Sequence, residues 1–391
     1  MSSPYRSLRT TGCQEVVTLP ATGGAQFTSA FQVHVRAAFA RARAAGVERP
    51  IIVGAIPFDT RQPSMLFIPR RYQLLDRALM LSNAGAAAPF EAPAVLAVHE
   101  RADAQGYQSA VASATYDIKA GQLDKVVLGR QLLLDIAHRP DVDLLMARLM
   151  NQNPDGYHFS VPLPQGTLVG ASPELLLRKH AATLWTTPLA GTAPRSHDAD
   201  EDHQLAQALK YSAKDLYEHR VVTQAIQRQL TPVTRDLAVP SSPDVMPTAR
   251  LWHLGSPIHA TVASADETSL SLACRLHPTP ALRGFPEAEA SQRIALLEPE
   301  DRGPFGGIVG WCDDQGNGEW VVAIRCAVVG ERCIRLFAGA GIVADSDPAS
   351  EWRETANKLG TMLNAFGLDA SLSAQVAAVN TAAASREHPI L

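Results

Sequence analysis

The chain has 391 residues, of which 46% are hydrophobic and 19% are charged, and its formal net charge is -4. This composition predicts a soluble globular protein with a large core, and it excludes a basic surface of the kind that binds nucleic acid. No apolar run reaches the roughly 18 residues of a membrane helix, so we expect a cytoplasmic protein that does not contact a membrane.

Strands and helices alternate in the first half of the chain. Apolar patterning predicts a buried strand at 51–58, a helix at 104–120, a long strand at 123–136 and a helix at 141–152. Three short strands should follow, with the sequences YHFSVPL, GTLVGAS and ATLWTTPLAG. The turn residues between these strands predict an antiparallel meander.

The second half begins with a predicted helical region at 200–230. Residues 269–286 predict an ordered loop, because their prolines prevent a long helix. Three strands, GGIVGWCD, GEWVVAIRCAVVG and CIRLFAGAGIV, precede a helix at 349–365. Hairpins that alternate with long helices predict an α/β protein of the α+β type, a large layered sandwich of mostly antiparallel sheets flanked by helices.

The two ends of the chain differ in composition from its middle. Residues 1–25 are polar and rich in Gly and Thr, and residues 368–391 are rich in Ala and Ser. We therefore expect a loosely ordered N-terminal segment, a single domain at 26–367 and a flexible C-terminal tail.

Two pairs of acidic residues are the strongest chemical signal. Asp215 and Glu218 lie three residues apart in one predicted helix, and Glu351 and Glu354 do so in another. This spacing puts both acids of a pair on one helix face. If the helices meet, four carboxylates surround one point, where a cation must offset their repulsion. The pairs predict a site for Mg²⁺; the alternative is that each pair is solvated surface.

Ten motifs in one order carry a resemblance to a known family. The chain resembles the chorismate-utilising enzymes, which include the anthranilate, aminodeoxychorismate, isochorismate and salicylate synthases, and it is most similar to the isochorismate synthases of siderophore biosynthesis. The resemblance spans about residues 50–367. The motifs are LDKVVLGR, GASPELLLR, PLAGTAPR, AKDLYEH, LWHL, LHPTPALRGFP, FGGIVGWCD, GEWVVAIRC, FAGAGIV and SEWRETANK.

The resemblance implies the chorismate-utilising enzyme fold and an enzyme that uses Mg²⁺ and acts on chorismate. It implies that Glu218 and Glu354 bind the metal, with Asp215 and Glu351 in or near the next layer of ligands. Mg²⁺ usually takes only one or two carboxylates directly, which agrees with that division.

The resemblance also implies a base and an acid. Lys125 matches the family's general base, which activates the water that attacks C2 of chorismate. To act so it must be neutral, which burial beside a divalent cation favours. Glu174 matches the general acid that protonates the departing C4 oxygen, and apolar surroundings should keep its carboxyl protonated.

Further positions match the family's substrate contacts. Two cationic side chains would bind the enolpyruvyl carboxylate, and a guanidinium can do so with two parallel hydrogen bonds. The backbone amides of an AGAG segment would approach the same group, although without the resemblance this segment predicts only a tight turn at a strand end. A histidine and a glycine should lie near the ring, and the histidine could equally be a core residue. These residues are Arg325, Lys358, Gly339, Ala340, Gly341, His253 and Gly191.

Two positions predict which reaction follows. Ala190 stands where aminodeoxychorismate synthases typically have a nucleophilic lysine, so the covalent route is absent. Lys125 stands where the ammonia-using relatives typically have glutamine, so water should be the nucleophile. The predicted product is isochorismate, which could pass to an isochorismatase, and the resemblance implies a monomer.

Alternatives remain at this point. A salicylate synthase would use the same acid and base and then eliminate pyruvate, and an isochorismate synthase of the menaquinone pathway would differ only in the pathway it serves. A non-catalytic chorismate-binding module would share the fold. An unrelated phosphoryl-transfer enzyme would need a phosphate-binding loop, which the sequence lacks.

Overall fold

The computed structural model describes residues 1–78, 89–100 and 102–368. Within these ranges the chain forms eight α-helices: α1 (Ala30–Ala44), α2 (Ala104–Lys119), α3 (Val142–Gln152), α4 (Ala199–Tyr211), α5 (Ala213–Leu230), α6 (Ser269–Leu276), α7 (Glu287–Leu297) and α8 (Pro348–Ala365). No helix among these residues is both long and apolar enough to cross a membrane.

The strands of the first half are β1 (Ser7–Thr11), β2 (Glu15–Val17), β3 (Ile51–Ile56), β4 (Met65–Ile68), β5 (Arg71–Leu75), β6 (Val95–Glu100), β7 (Lys125–Ile136), β8 (Tyr157–Leu163), β9 (Gly166–Ser172), β10 (Leu175–His180), β11 (Thr183–Thr187) and β12 (Leu189–Pro194). Those of the second half are β13 (Thr234–Ala238), β14 (Asp244–Pro247), β15 (Leu251–Gly255), β16 (Ile258–Val262), β17 (Gly284–Phe285), β18 (Ile308–Asp313), β19 (Gly318–Val322), β20 (Cys326–Val329) and β21 (Cys333–Ile342).

Two large sheets form the centre of the protein. One has nine strands in the order β13-β16-β11-β10-β19-β18-β3-β4-β2, and the other has the order β17-β7-β21-β20-β9-β8 with β6 beside β7. Smaller sheets join β1 to β5 and order β12-β15-β14. Neighbouring strands within the described residues run antiparallel, from the long β7–β21 ladder to the short β7–β17 pair.

The layers are held together by three apolar clusters. Val309 and Val321 of the nine-stranded sheet pack with Phe159 and Leu168 of the other sheet, so the two sheets face each other. A second cluster joins the outer face of the nine-stranded sheet to α1, α5 and α6, and a third joins the opposite sheet to α3 and α8. The predicted α+β sandwich of antiparallel sheets flanked by helices is confirmed.

Several predicted elements differ in detail. The region 269–286 was expected to be a loop, but it contains α6, because Thr268 and Ser271 cap each other's backbone and the first proline comes only after the helix ends. The helical region 200–230 is two helices, because Ser212 ends α4 and caps α5. The expected meander is divided among three sheets, since β8 and β9 pair together, β10 and β11 join the other large sheet, and β12 joins β15.

The ends of the chain complete the comparison. The sequence predicted a loosely ordered segment at 1–25, whereas the structure has β1 and β2 there, paired with β5 and β4. Both strands are short, so their polar composition gave no periodic signal. The predicted tail at 368–391 lies outside the described residues, apart from Leu368.

Candidate active site

The site lies where the chain crosses between the two large sheets. One crossing leads from β9 to β10 and carries Glu174, and the other leads from β19 to β20 and carries Arg325. The sequence predicted one continuous strand at the second crossing, which is wrong, because the chain changes sheets after Val322. Backbone hydrogen bonds join the crossings: Ala171 N donates to Arg325 O at 3.0 Å, and Val322 N donates to Glu174 O at 3.2 Å. Glu174 and Arg325 are thereby placed side by side.

Arg325 has an unusual backbone conformation. Its φ is 48°, in the left-handed region that only a few per cent of non-glycine residues adopt. Such conformations cost energy and cluster at functional sites, where the surrounding structure imposes them. Burial lowers the pKa of the guanidinium to about 10, against the opposing charges of Glu354 and Glu174, so it stays charged at neutral pH.

The crossings form one wall of a cavity with about 740 Å³ of empty space, including its opening to solvent. Apolar side chains that the sequence analysis did not name complete the wall: Leu189, Leu282, Phe305, Ile324 and Phe337. The cavity brings together eleven of the predicted site residues: Lys125, Glu174, Gly191, Asp215, Glu218, His253, Arg325, Gly339, Gly341, Glu354 and Lys358.

Glu174 is buried and stays partly protonated near neutral pH. Burial raises the pKa of its carboxyl to about 7, although the Leu189 N–H and the positive charges of Arg325, Lys125 and Lys358 oppose the rise. Leu189 N donates to Glu174 Oε1 at the long distance of 3.5 Å. A carboxyl with this pKa can donate a proton at neutral pH, as the sequence analysis expected.

Lys125 begins β7 and points into the cavity. Its side chain is 2% exposed, and Nζ lies 3.1 Å from Glu218 Oε2. Gly341 on the adjacent strand makes room for this pair, because a Cβ there would lie 2.3 Å from Glu218 Oε2 and 3.0 Å from Lys125 Cε. The glycine is therefore needed for space beside the two charged groups.

The two acid pairs meet through a lysine that the sequence analysis missed. Lys214 Nζ lies 2.7 Å from Glu351 Oε1 and 3.6 Å from Glu218 Oε1, so it bridges α5 and α8. Burial alone would lower the pKa of Lys214, but the charges of Glu218 and Glu351 outweigh this effect and raise the pKa. Its spacing of four residues from Glu218 was the available signal.

Glu354 and Glu351 differ in environment. Glu354 Oε1 accepts a hydrogen bond from Lys358 Nζ at 2.5 Å, and Lys358 also donates to Gly339 O at 2.9 Å. Burial alone would raise the pKa of Glu354, but the positive charges of Lys358, Lys214 and Arg325 together lower it. Burial and the charge of Glu354 raise the pKa of Glu351 against the opposing effect of Lys214, and Glu351 Oε2 is buried without a hydrogen-bond partner in the described residues.

Asp215 has a local structural role. Its N–H donates to Ser212 Oγ at 3.3 Å, and its Oδ2 accepts from the same hydroxyl at 2.5 Å, so the pair caps the start of α5. Gly191, with φ of 89°, packs against it, because a Cβ at this glycine would lie 3.0 Å from Asp215 Cβ. Asp215 thus lines the cavity while it closes the helix terminus.

The AGAG segment lies within β21, where the sequence alone predicted a strand-end turn. Gly339 of β21 lies opposite Gly129 of β7. The N–H of Gly129 points away from β21, because it donates to Glu298 Oε1. Gly339 and Gly129 are therefore a pair without mutual hydrogen bonds, and the N–H and C=O of Gly339 point away from β7. Alternation then turns the Gly341 amide the same way and the Ala340 amide toward β7. Ala340 does not line the cavity and packs in the core instead, which corrects its predicted role.

His253 is buried on β15 and faces Thr192 of β12. Its Nδ1 lies 3.2 Å from Thr192 Oγ1, and Nε2 has no hydrogen-bond partner among the described residues. Burial lowers the pKa of the imidazole well below its usual value, and Arg325 and Lys358 act in the same direction. The ring is therefore neutral, and it lines the cavity.

Comparison with known proteins decides the family. A family model described as chorismate binding enzyme matches residues 69–367, well over half of the chain. The isochorismate synthase EntC of Escherichia coli (strain K12) is 49% identical over 372 residues, which cover 94% of each protein. The chain belongs to the chorismate binding enzyme family. The resemblance drawn from the ten motifs is confirmed.

Other members of the chorismate binding enzyme family support the assignment. The isochorismate synthase DhbC of Bacillus subtilis (strain 168) is 39% identical over 381 residues, which cover 94% of this chain and 93% of that protein. A crystal structure described as a 2,3-dihydroxybenzoate-specific isochorismate synthase, DhbC of Bacillus anthracis, has a TM-score of 0.85 and 38% identity, covering 94% of this chain and 95% of that one.

The residues of this chorismate binding enzyme fit a Mg²⁺ ion held with help from a ligand. Within the described ranges, no group of three or more His, Cys, Asp and Glu side chains could hold a metal ion. Mg²⁺ is nonetheless commonly bound by one or two carboxylates, with waters and substrate oxygens completing its shell. Glu218 and Glu354 line the cavity and offer these two ligands, and the unpartnered Glu351 Oε2 marks a site where a further cation is favourable.

Proposed function

We propose that this protein is an isochorismate synthase, which converts chorismate to isochorismate with Mg²⁺. The observation that carries the proposal is one cavity that holds a buried lysine and a buried carboxyl of pKa about 7, Lys125 and Glu174. Ala190 lines the same cavity and supplies no nucleophile, so a covalent intermediate is not expected there.

Chorismate carries two carboxylates, and the cavity offers positive charge for both. Arg325 presents a planar guanidinium that can form two parallel hydrogen bonds to the enolpyruvyl carboxylate. Lys358 and the outward amides of Gly339 and Gly341 lie along the same wall and assist it. Mg²⁺, held by Glu218 and Glu354 with Glu351 beside them, would supply the charge that binds the ring carboxylate.

Lys125 and Glu174 divide the reaction between them. Lys125 takes a proton from the water that attacks C2, and Glu174 gives its proton to the oxygen that leaves C4. The double bonds shift between these positions, so one hydroxyl is lost as another is gained and the enolpyruvyl group stays attached. Leu189, Ile324 and Phe337 keep other water from the ring, and His253 Nε2 is free to contact a ring hydroxyl.

The experiment is to incubate the purified protein with chorismate and Mg²⁺, without ammonium, and to separate the products by chromatography with mass detection. Isochorismate at unchanged mass, lost when EDTA is added, is the expected result. Salicylate with pyruvate would instead assign the activity to a salicylate synthase. Unchanged chorismate would refute the proposal and indicate a binding role.

We further propose that residues 26–367 act as one catalytic domain in a cytoplasmic monomer. The pathway we favour leads through an isochorismatase to 2,3-dihydroxybenzoate and a catecholate siderophore such as enterobactin, because a relative described as 2,3-dihydroxybenzoate-specific matches nearly the whole chain. Chromatography with light scattering tests the monomer. Growth of a deletion strain under iron limitation, with and without added 2,3-dihydroxybenzoate, tests the pathway.

A further inference from the structure

The orientation of α8 determines where two charged groups of the cavity and one acid beside it point. Glu351, Glu354 and Lys358 all belong to this helix, and α8 packs against β21 and α2. A rotation of the helix about its own axis would swing all three side chains together. Because a misplacement of about 1 Å can cost about 10²-fold in rate, something must fix this rotation.

Arg130 contacts α8 beside the two acids. It lies on β7, five residues after Lys125, and is 4% exposed. Its guanidinium carbon lies 3.7 Å from the ring centroid of Trp352, and its Nε donates to Thr355 Oγ1 at 2.8 Å. Trp352 directly follows Glu351, and Thr355 directly follows Glu354. One buried side chain therefore holds the immediate neighbours of both acids.

Neighbouring contacts make this arrangement rigid. Thr355 Oγ1 donates to Trp352 O at 2.8 Å, so the hydroxyl that accepts from Arg130 also forms a hydrogen bond within α8. Tyr107 of α2 packs on Trp352, and their ring centroids are 5.8 Å apart. The hydroxyl of Tyr107 donates to Leu128 O on β7 at 3.0 Å. The strand that carries Lys125 thus holds α8 by two routes.

We infer that Arg130 is a positioning residue, which acts through Trp352 and Thr355 to fix the rotation of α8 so that Glu351 and Glu354 face the metal site. The inference rests on the proposed Mg²⁺ enzyme for its functional consequence. Its structural part, the fixed rotation of α8, is independent of that activity. Arg130 itself does not line the cavity.

The test compares two arginines that hold the same helix at different ends. Arg148 donates to Ala365 O at 2.9 Å and to Asn364 O at 3.2 Å, at the end of α8 far from the acids. Arg130→Met should raise the Mg²⁺ concentration for half-maximal rate by about 10- to 100-fold, as loss of a residue that orients metal ligands does. Arg148→Met should leave this concentration within about twofold of wild type.

Hydrogen exchange of the metal-free protein gives a second readout. Arg130→Met should speed exchange of the backbone amides of residues 351–358, and Arg148→Met should not. If both variants behave alike in exchange and in Mg²⁺ dependence, the inference is overturned, since Arg130 would then contribute only general stability. If wild type shows no Mg²⁺ dependence, the metal proposal fails, but the exchange comparison still decides whether Arg130 fixes α8.

Milder variants cover the case in which Arg130→Met does not fold. Thr355→Val removes the hydroxyl that accepts from Arg130, and Thr355→Ser keeps it. The valine variant should show part of the rise in Mg²⁺ requirement, and the serine variant should match wild type. Equal behaviour of the two variants would refute the role of this hydrogen bond, and with it the inference that Arg130 acts through Thr355.

Discussion

Replacement of Glu174 by Gln should abolish most activity and yet stabilise the protein at alkaline pH. The pKa of the buried carboxyl rises from 4.5 to about 7 on folding. This rise corresponds to about 3 kcal/mol at 1.36 kcal/mol for each pH unit. Because the folded-state pKa is raised, this contribution to stability is fully present below about pH 4.5 and is lost as pH rises through about 7.

The variant carries a neutral amide of the same shape at every pH. Relative to wild type, Glu174→Gln should therefore gain about 2.5 kcal/mol in the free energy of unfolding between pH 5 and pH 8, since part of the wild-type loss has already occurred at pH 5. Urea titrations of the metal-free proteins at these two pH values, followed by tryptophan fluorescence, measure the difference. In the same variant kcat should fall by about 10²–10⁴-fold, since the acid is gone.

Glu319 provides a matched control. It is also buried, and burial raises the pKa of its carboxyl to about 7 against the opposing effects of Ser3, Arg178 and Arg6, but it does not line the cavity. Glu319→Gln should show the same gain in stability with kcat within about twofold of wild type. If Glu174→Gln instead keeps the wild-type dependence of stability on pH, the fold does not hold this carboxyl protonated, and the reasoning is refuted.

Three other substitutions test separate parts of the site. Lys125→Met, which keeps most of the side-chain volume, should lower kcat by about 10²–10⁴-fold; turnover within severalfold of wild type would contradict the base assignment. Arg325→Lys should raise KM for chorismate by about 10- to 100-fold, because a single ammonium replaces charge-assisted paired hydrogen bonds worth about 1.5–3 kcal/mol. An unchanged KM would contradict the proposed contact between Arg325 and the substrate carboxylate. Gly191→Ala should destabilise the protein by about 1–2 kcal/mol in urea, because its φ of 89° is unfavourable for alanine; a wild-type midpoint would show that the turn relaxes.

Local sequence was sufficient for most of the elements that carry the site. The strand that begins at Lys125 and the helix that carries Glu351 and Glu354 were predicted to within a few residues, because their apolar periodicity is long and regular. The short strands β1 and β2 were not predicted, and α6 was taken for a loop. Such short segments offer too few residues for a period to emerge, so their pairing partners decide their conformation.

The sequence by itself determined the family, the antiparallel sandwich and the residue types available for chemistry, because motif order, side-chain period and i, i+3 spacing are properties of the chain alone. Only the tertiary structure decided that a predicted continuous strand breaks to place Arg325 beside Glu174, that Lys214 bridges the two acid-bearing helices, and that Ala340 turns away from the cavity. It also decided the pKa of Glu174, because desolvation depends on which residues distant in sequence surround a carboxyl, and local spacing carries no information about them.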